Sequence, residues 1–305
     1  KVDNSYATGN VHGSYWTGGL LGGHGHLAFL NNSNATGTVT GHEKTGGLVG
    51  SMGALPDGDL LAPGFINGSF ATGDVLATGD YAGGLVGYVN YYSEIDNSYA
   101  TGNVNGASYA GGLVGYGFGA DGATAIDNSY ATGDVNGSDA IGGLAGVLFI
   151  SSIDQSYSSG AVTGASYVGG LVGYTYDDGS ETSHIFDSYA IGDVTATGDQ
   201  AGGLVGSLYL TSVNSSYATG DVDGDESVGG LIGDAAYNCN IDNSYSVGAV
   251  NGTTDIGGLI GTISDSIINN SYWVNHTDAA ASCYSGGNDN CTAETDNTVF
   301  YDTAN

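Results

Sequence analysis

The chain repeats itself about every thirty residues, and that period decides which folds are open to it. The clearest copy, IDNSYATGNVNGASYAGGLVG, runs from Ile95 to Gly115. The next, IDNSYATGDVNGSDAIGGLAG, runs from Ile126 to Gly146. Other copies open at Val2, Ile66, Ile153, Ile185, Val213 and Ile241. A degenerate copy surrounds Asn34, and a half copy, INNSYW, spans Ile268 to Trp273. The anchor positions are Tyr6, Asn34, Phe70, Tyr99, Tyr130, Tyr157, Tyr189, Tyr217, Tyr245 and Tyr272, which cover 266 residues in nine intervals. A second landmark, GGLVG or a close variant, recurs nine times between Gly18 and Gly261.

No stretch keeps a helical period. Apolar patches of two to six residues are broken by Gly, Asn, Asp and Ser, which is a strand-and-turn pattern. A propeller blade needs about 40 to 45 residues and four strands. Thirty residues with two or three short strands suit one coil of a solenoid with two or three faces. The expected fold is all-β: a right-handed parallel β-helix (solenoid) of about ten coils, roughly 30 residues each. Coils stacked about 4.8 Å apart place equivalent residues in ladders, and ten coils make a rod of roughly 45 Å. Ile95, Ile126, Ile153 and Ile185 are expected to form an inward apolar ladder, and the tyrosines a second. Leu20, Leu48, Leu85, Leu113, Leu144, Leu171, Leu204, Leu231 and Leu259 form a third. The glycine pair before each Leu supplies a sharp corner or a close backbone approach. Asn97, Asn128 and Asn243 are expected to form amide ladders at a turn. Loop lengths vary after GGLVG and between the Val and the GG; the longest insertion covers 51–65.

Composition narrows the reading. There are 57 Gly and only two Pro, with no G-X-Y period, so collagen is excluded. An apolar fraction of 40% in ordered copies argues against disorder. Two basic residues against 32 acidic ones give a net charge of −30, a surface that repels nucleic-acid phosphates and anionic lipids. No run of 18 apolar residues marks a membrane span. The chain opens as KVDNSYATG, inside a repeat and without a signal sequence, as an excerpt of a longer precursor would. Residues 1–273 read as the repeat solenoid and 274–305 as a C-terminal cap or tail. Within that tail Cys283 and Cys291 lie at disulfide spacing, which favours an oxidising, extracellular compartment, and Cys239 is the odd cysteine. Nine N-glycosylation sequons start at Asn31, Asn34, Asn67, Asn136, Asn214, Asn251, Asn269, Asn275 and Asn290.

The unit SYATGxVxG…GGLVG closely resembles the GLUG motif repeat over about residues 1–273. Such repeats occur in large secreted or surface-anchored bacterial and archaeal proteins, adhesin-like ones among them. The resemblance implies a β-solenoid, secretion and a structural or adhesive role, and it brings no catalytic residues with it. The copy around Asn34 lacks the aromatic, so that coil is expected to be distorted.

β-Helices also carry polysaccharide lyases and glycosidases. A lyase needs a basic proton acceptor, and only Lys1 and Lys44 are available. A hydrolase needs two carboxylates; Asp177, Asp178 and Glu181 share one insertion, read as a solvated loop. His24 and His26 lack further ligands at zinc-site spacing, and HExxH is absent. Calcium is the better metal candidate. Asp74, Asp134, Asp193 and Asp221 share one repeat slot, and Asp96, Asp127, Asp154, Asp187 and Asp242 share another, so stacked carboxylates would welcome a cation. Thr8, Thr72, Thr101, Thr132 and Thr219 make one outward column, short of the flat double array that ice binding needs. Tyr272 and Trp273 read as an aromatic plug. The expected function is therefore a non-catalytic structural or adhesive protein without cofactor. It would assemble head to tail or against neighbouring domains. The rival is a carbohydrate-binding or carbohydrate-active helix that meets surface glycans or cell surfaces.

Overall fold

The computed structural model describes residues 1–24, 28–53, 63–119, 123–179, 183–274, 282–285, 287 and 291–294. It is a parallel β-solenoid, and no described residue is helical. Each coil carries five short strands, not two or three. In the coil opening at Glu94 they are Glu94–Asp96, Tyr99–Ala100, Val104–Asn105, Ala110–Gly111 and Val114–Phe118. Equivalent strands stack into five parallel sheets, here numbered I to V in chain order, of ten, eleven, nine, nine and nine strands. Nine coils are complete, and a tenth contributes only to sheets I and II.

Many of these strands are two residues long, so corners shape the coil as much as strands do. Between sheets I and II the chain turns through a left-handed residue, with φ of 45° to 49° at Asn4, Asn32, Asn97, Asn128, Asn243 and Asn270. Asn tolerates that region better than other residues with a Cβ. The corner asparagines do not form the expected amide ladder. The Asn97 and Asn128 side-chain amides both donate to the Asp96 carboxylate, at 2.7 and 3.0 Å, and Asn243 reaches Asn214 at 3.4 Å.

The inward isoleucines pair in register from Ile95 through Ile126 and Ile153 to Ile185, and the Leu113 amide donates to the Leu144 carbonyl at 2.8 Å. The leucines from Leu48 to Leu259 are fully buried; Leu20, in the first coil, is only partly so. Each contributes about 1.5–3 kcal/mol of apolar burial. The tyrosines do not point inward. On sheet II the small neighbour faces the core, as Ala71, Ala100, Ala131, Ala190 and Ala218, while the ring lies outside. The core is shallow at this face: beyond Ala it takes only Ser in the complete coils, at Ser158 and Ser246, whose hydroxyls donate to the Gly170 and Gly258 carbonyls. A Cβ on Gly112 would lie 2.1 Å from the Gly143 carbonyl oxygen and 2.8 Å from the Ala131 Cβ. The glycine pair thus brings the end of sheet IV back against sheet II and pinches the cross-section. Sheets I, II and V and the leucines enclose the larger core; Val104, Val135 and Val162 of sheet III meet Ala110, Ile141 and Val168 of sheet IV in the smaller one.

A serine precedes the sheet II anchor in every coil, and from Ser33 to Ser271 it is buried. Each serine N–H donates to the hydroxyl oxygen of the next coil's serine, for example Ser98 to Ser129 and Ser129 to Ser156 at 3.1 Å. Each hydroxyl donates to the carbonyl two residues upstream in its own coil, at 2.7 Å for Ser98 and Ser129. The column satisfies backbone groups that the corner removes from the sheets. The coil at Asn34 is regular: Asn34 pairs in register with Tyr6 on one side and Phe70 on the other.

At the C-terminal end the inward Ala/Ser position becomes Trp273, 2% exposed, and its ring occupies the space beside Gly258. Residues 282–285 then run under the last glycine corner: Gly258 donates to the Ser282 carbonyl, and Leu259 and Ile260 to that of Cys283. Cys291–Glu294 adds an eleventh strand to sheet II, and Cys283 and Cys291 are joined in a disulfide. Tyr272 is no part of the plug; it faces out.

Candidate functional site

Three outward columns carry the polar chemistry of the rod. The first precedes the Val of sheet III by one residue. Asp74, Asp134, Asp193 and Asp221, proposed above as calcium ligands, each turn a carboxylate oxygen to a backbone N–H of the next coil, donated by Asn103, Ala161, Asp221 and Ala249 at 2.8–3.0 Å. Asn10 and Asn103 do the same with their amide oxygens. The slot therefore wants a short acceptor, charged or not, and backbone capping accounts for Asp there. Among the described residues no three His, Cys, Asp or Glu side chains gather in a way that could hold a metal ion.

The second column is on sheet I. Asp96, Asp127 and Asp154 are in register on successive coils, with Glu94 beside them. Asp96 accepts from Asn67, Asn97 and Asn128, and the Asp154 carboxylate lies 3.3 Å from His184 Nε2. One carboxylate oxygen of Asp127 is buried with no hydrogen-bond partner. Burial first, and then repulsion from Asp154, Glu94 and Asp96, push the Asp127 carboxyl up to about 6, against the opposing pull of His184. Asp242 keeps this register but is separated from Asp154 by Phe186 and Asn214, and it accepts from Asn240 and Asn269; Asp187 leaves the slot and is the left-handed corner residue of its coil.

The third column is the aromatic ladder of sheet II. Phe70, Tyr99, Tyr130, Tyr157, Tyr189, Tyr217 and Tyr245 stack with ring centroids 4.8–4.9 Å apart and planes within 6° of parallel. Burial, followed by the neighbouring tyrosines, raises the Tyr130, Tyr157 and Tyr217 phenols. Ring faces are spent on one another, so edges and hydroxyls meet solvent. Where Asn34 interrupts the column, Tyr6 is 74% exposed.

Residues 78–105, 106–136 and 164–195 match the GLUG motif. The chain carries GLUG repeats. The first two matches each span one full circuit of the solenoid, opening ahead of sheet IV and closing with sheet III: residues 78–105 hold Ala82–Gly83, Val86–Asn90, Glu94–Asp96, Tyr99–Ala100 and Val104–Asn105. No curated protein and no solved structure matches the chain.

The remaining candidates sit apart from one another on the coils. Asp177 is not solvated: it is buried, accepts from the Gly179 N–H and from both the N–H and hydroxyl of Ser183, and so closes its own turn. Asp178 is exposed, and Glu181 lies outside the described residues. So do His26 and His276; His42 meets the Thr78 hydroxyl at 3.0 Å. Of the sequons, Asn67, Asn136, Asn251 and Asn269 are exposed on regular strands and Asn31, Asn34 and Asn214 are half-buried, whereas Asn275 and Asn290 lie outside the described residues. Cys239 is buried and unpaired in disulfides, its thiol pushed up by burial. Thr8, Thr72, Thr101 and Thr132 do form an exposed column. A shallow depression at the C-terminal end is lined by Asp242, Asn269, Asn270, Tyr272, Cys291 and Thr292. No described helix is long and apolar enough to cross a membrane.

Proposed function

We propose that the chain is a non-catalytic extracellular rod, a building block of a filament, surface layer or adhesin stalk, joined to its neighbours through the ends of the solenoid. The observation that carries this reading is the unbroken stack of coils along one axis, in five parallel sheets with no break in strand order. A stack of this kind extends by pairing its end strands with a further coil, whether from a neighbouring domain or a second copy. At the C-terminal end Trp273 and the strand Cys291–Glu294 lie over the last coil. The disulfide and the acidic surface fit a secreted protein, and the exposed sequons fit a glycosylated one. Two of the three polar columns support a structural role, because backbone capping and ring stacking occupy their groups.

Negative-stain microscopy of native material and light scattering of the purified chain test the proposal. Rods joined end to end, or concentration-dependent growth along one axis, are expected. A chain that stays monodisperse and monomeric at high concentration, with only isolated short rods in native material, rejects assembly through the ends.

A further inference from the structure

A second aromatic array lies where sheet IV meets sheet V. Its first row occupies the corner that leads into sheet IV, at Trp16, Lys44, Tyr81, Tyr109, Ala140, Tyr167, Gln200, Ser227 and Asp255, all left-handed with φ of 51° to 64°. A bulky residue there is strained. Gln200, Ser227 and Asp255 hold the same backbone without a ring, so the fold does not require one. The second row, on sheet V, reads Tyr88, Tyr116, Val147, Tyr174, Ser207, Asp234 and Thr262 in register. It too turns polar in the last coils. The repeat supplies its own control: nine equivalent frames, since Gly23 and Ser51 precede Tyr88 in register, with rings in both rows only in the third, fourth and sixth.

The rings form one continuous strip. Tyr81 stacks on Tyr109 at 5.3 Å, and both stand edge-on to Tyr116, at 5.5 and 5.8 Å. Tyr116 lies parallel to Tyr88 at 5.6 Å, and its hydroxyl bridges to that of Tyr176, 3.0 Å away across the small Val147. Phe118, Phe149 and Tyr176 continue the strip along the axis at 5.0 and 4.4 Å. Lys44 Nζ sits 4.0 Å from the centre of the Tyr88 ring, a cation–π contact. All of these rings are partly exposed, over roughly 15 Å of rod.

We infer that this strip binds an uncharged, chain-like carbohydrate lying along the rod axis. The strip is long and axial, which suits a polymer. The strands beneath it are hydrogen-bonded to the coils above and below, so an extended peptide would find no main-chain partners. A chain of net charge −30 disfavours a polyanion, and Lys44 is the one basic side chain in the strip. Rings fringed with hydroxyls match the C–H faces and hydroxyls of neutral sugars. The inference goes beyond the rod reading, which needs no glycan.

The test is retention of the whole chain on insoluble cellulose and chitin and in gels cast with a soluble neutral β-glucan. It compares the natural chain with the double variant Tyr81→Gln, Tyr116→Ser, which copies Gln200 and Ser207. Circular dichroism and thermal unfolding check that the variant keeps its rod; if it does not, the single variant Tyr81→Gln takes its place. Binding to at least one neutral polysaccharide, weakened about tenfold or more (about 1.4 kcal/mol) in the folded variant, is expected. No retention on any neutral polysaccharide, or retention unchanged in the folded variant, overturns it. So does concentration-dependent pairing of the chain that the substitutions abolish, which would make a second copy the occupant. End-to-end growth in the microscope is read separately and stands or falls alone.

Discussion

The rod carries two aromatic arrays, and they are built on opposite rules. On sheet II the same ring recurs at the same height in seven successive coils, in relaxed strands, with planes within 6° of parallel. Where sheets IV and V meet, the rings come from three rows, cross at up to 86°, and sit partly on left-handed corners. The first array is what a stack of equal coils yields when each rung stabilises the next. The second departs from equality between coils, and departure is what a repeat protein shows where something other than stacking selects the residue.

Substitutions tell the two arrays apart. The largest effect is expected at the pinch on which both arrays depend: Gly112→Leu drives a side chain into the Gly143 carbonyl and the Ala131 methyl. Thermal and denaturant unfolding should show a loss of about 4 kcal/mol or more, or no folded rod at all. A variant with an unchanged unfolding midpoint would show that the two lobes are not held apart there. Next, Tyr157→Ala removes two parallel contacts from the sheet II ladder and should cost about 2 kcal/mol. It should leave glycan retention untouched, and the reverse pattern would exchange the roles of the arrays.

The acidic column of sheet I is the charged counterpart of the ladder, because stacked rings attract and stacked carboxylates repel. The folded-state value of Asp127, about 6, lies above the ordinary aspartate value of about 4. The penalty is absent below that ordinary value, grows through the window between the two, and is fully present above about 6. Stability should therefore fall as pH rises from about 4 to 6. Asp127→Asn should flatten that fall and stabilise the rod at pH 7 by about 1 kcal/mol, a figure discounted because the group is half exposed. Unfolding midpoints across pH check it, and a variant less stable at pH 7 would mean that the charge is useful. The smallest effect is expected from Asn34→Tyr, which completes the ladder between Tyr6 and Phe70 and should add about 0.5 kcal/mol. An unchanged or lowered midpoint would show that the interruption relieves strain.

The stacking of coils was legible because thirty-residue spacing survives every loop insertion. The isoleucine and leucine ladders followed from it, since large aliphatic residues repeated at one height have only the core to share. The five-strand cross-section was not legible. A two-residue strand such as Tyr99–Ala100 offers no alternation to read, so the larger, more apolar residue looked like the inward one. The glycine pair decides otherwise by leaving room for Ala or Ser alone. Asp134 invited a cation because its carboxylate recurs; that Asn103 fills the same slot, with an oxygen but no charge, was the available hint that it caps a backbone N–H. The serine before each anchor was visible in all ten copies, and its constancy beside variable neighbours was the signal of burial.

That serine column bears on how such a protein changes length. Every hydroxyl takes one bond from the preceding rung and passes one to its own, so the internal rungs are interchangeable. Duplicating or deleting a whole copy leaves the bookkeeping intact. An insertion that displaces a serine orphans a buried N–H, at about 1–3 kcal/mol. Reach, in a molecule built this way, is set by copy number and can be adjusted in single steps without redesigning the interior.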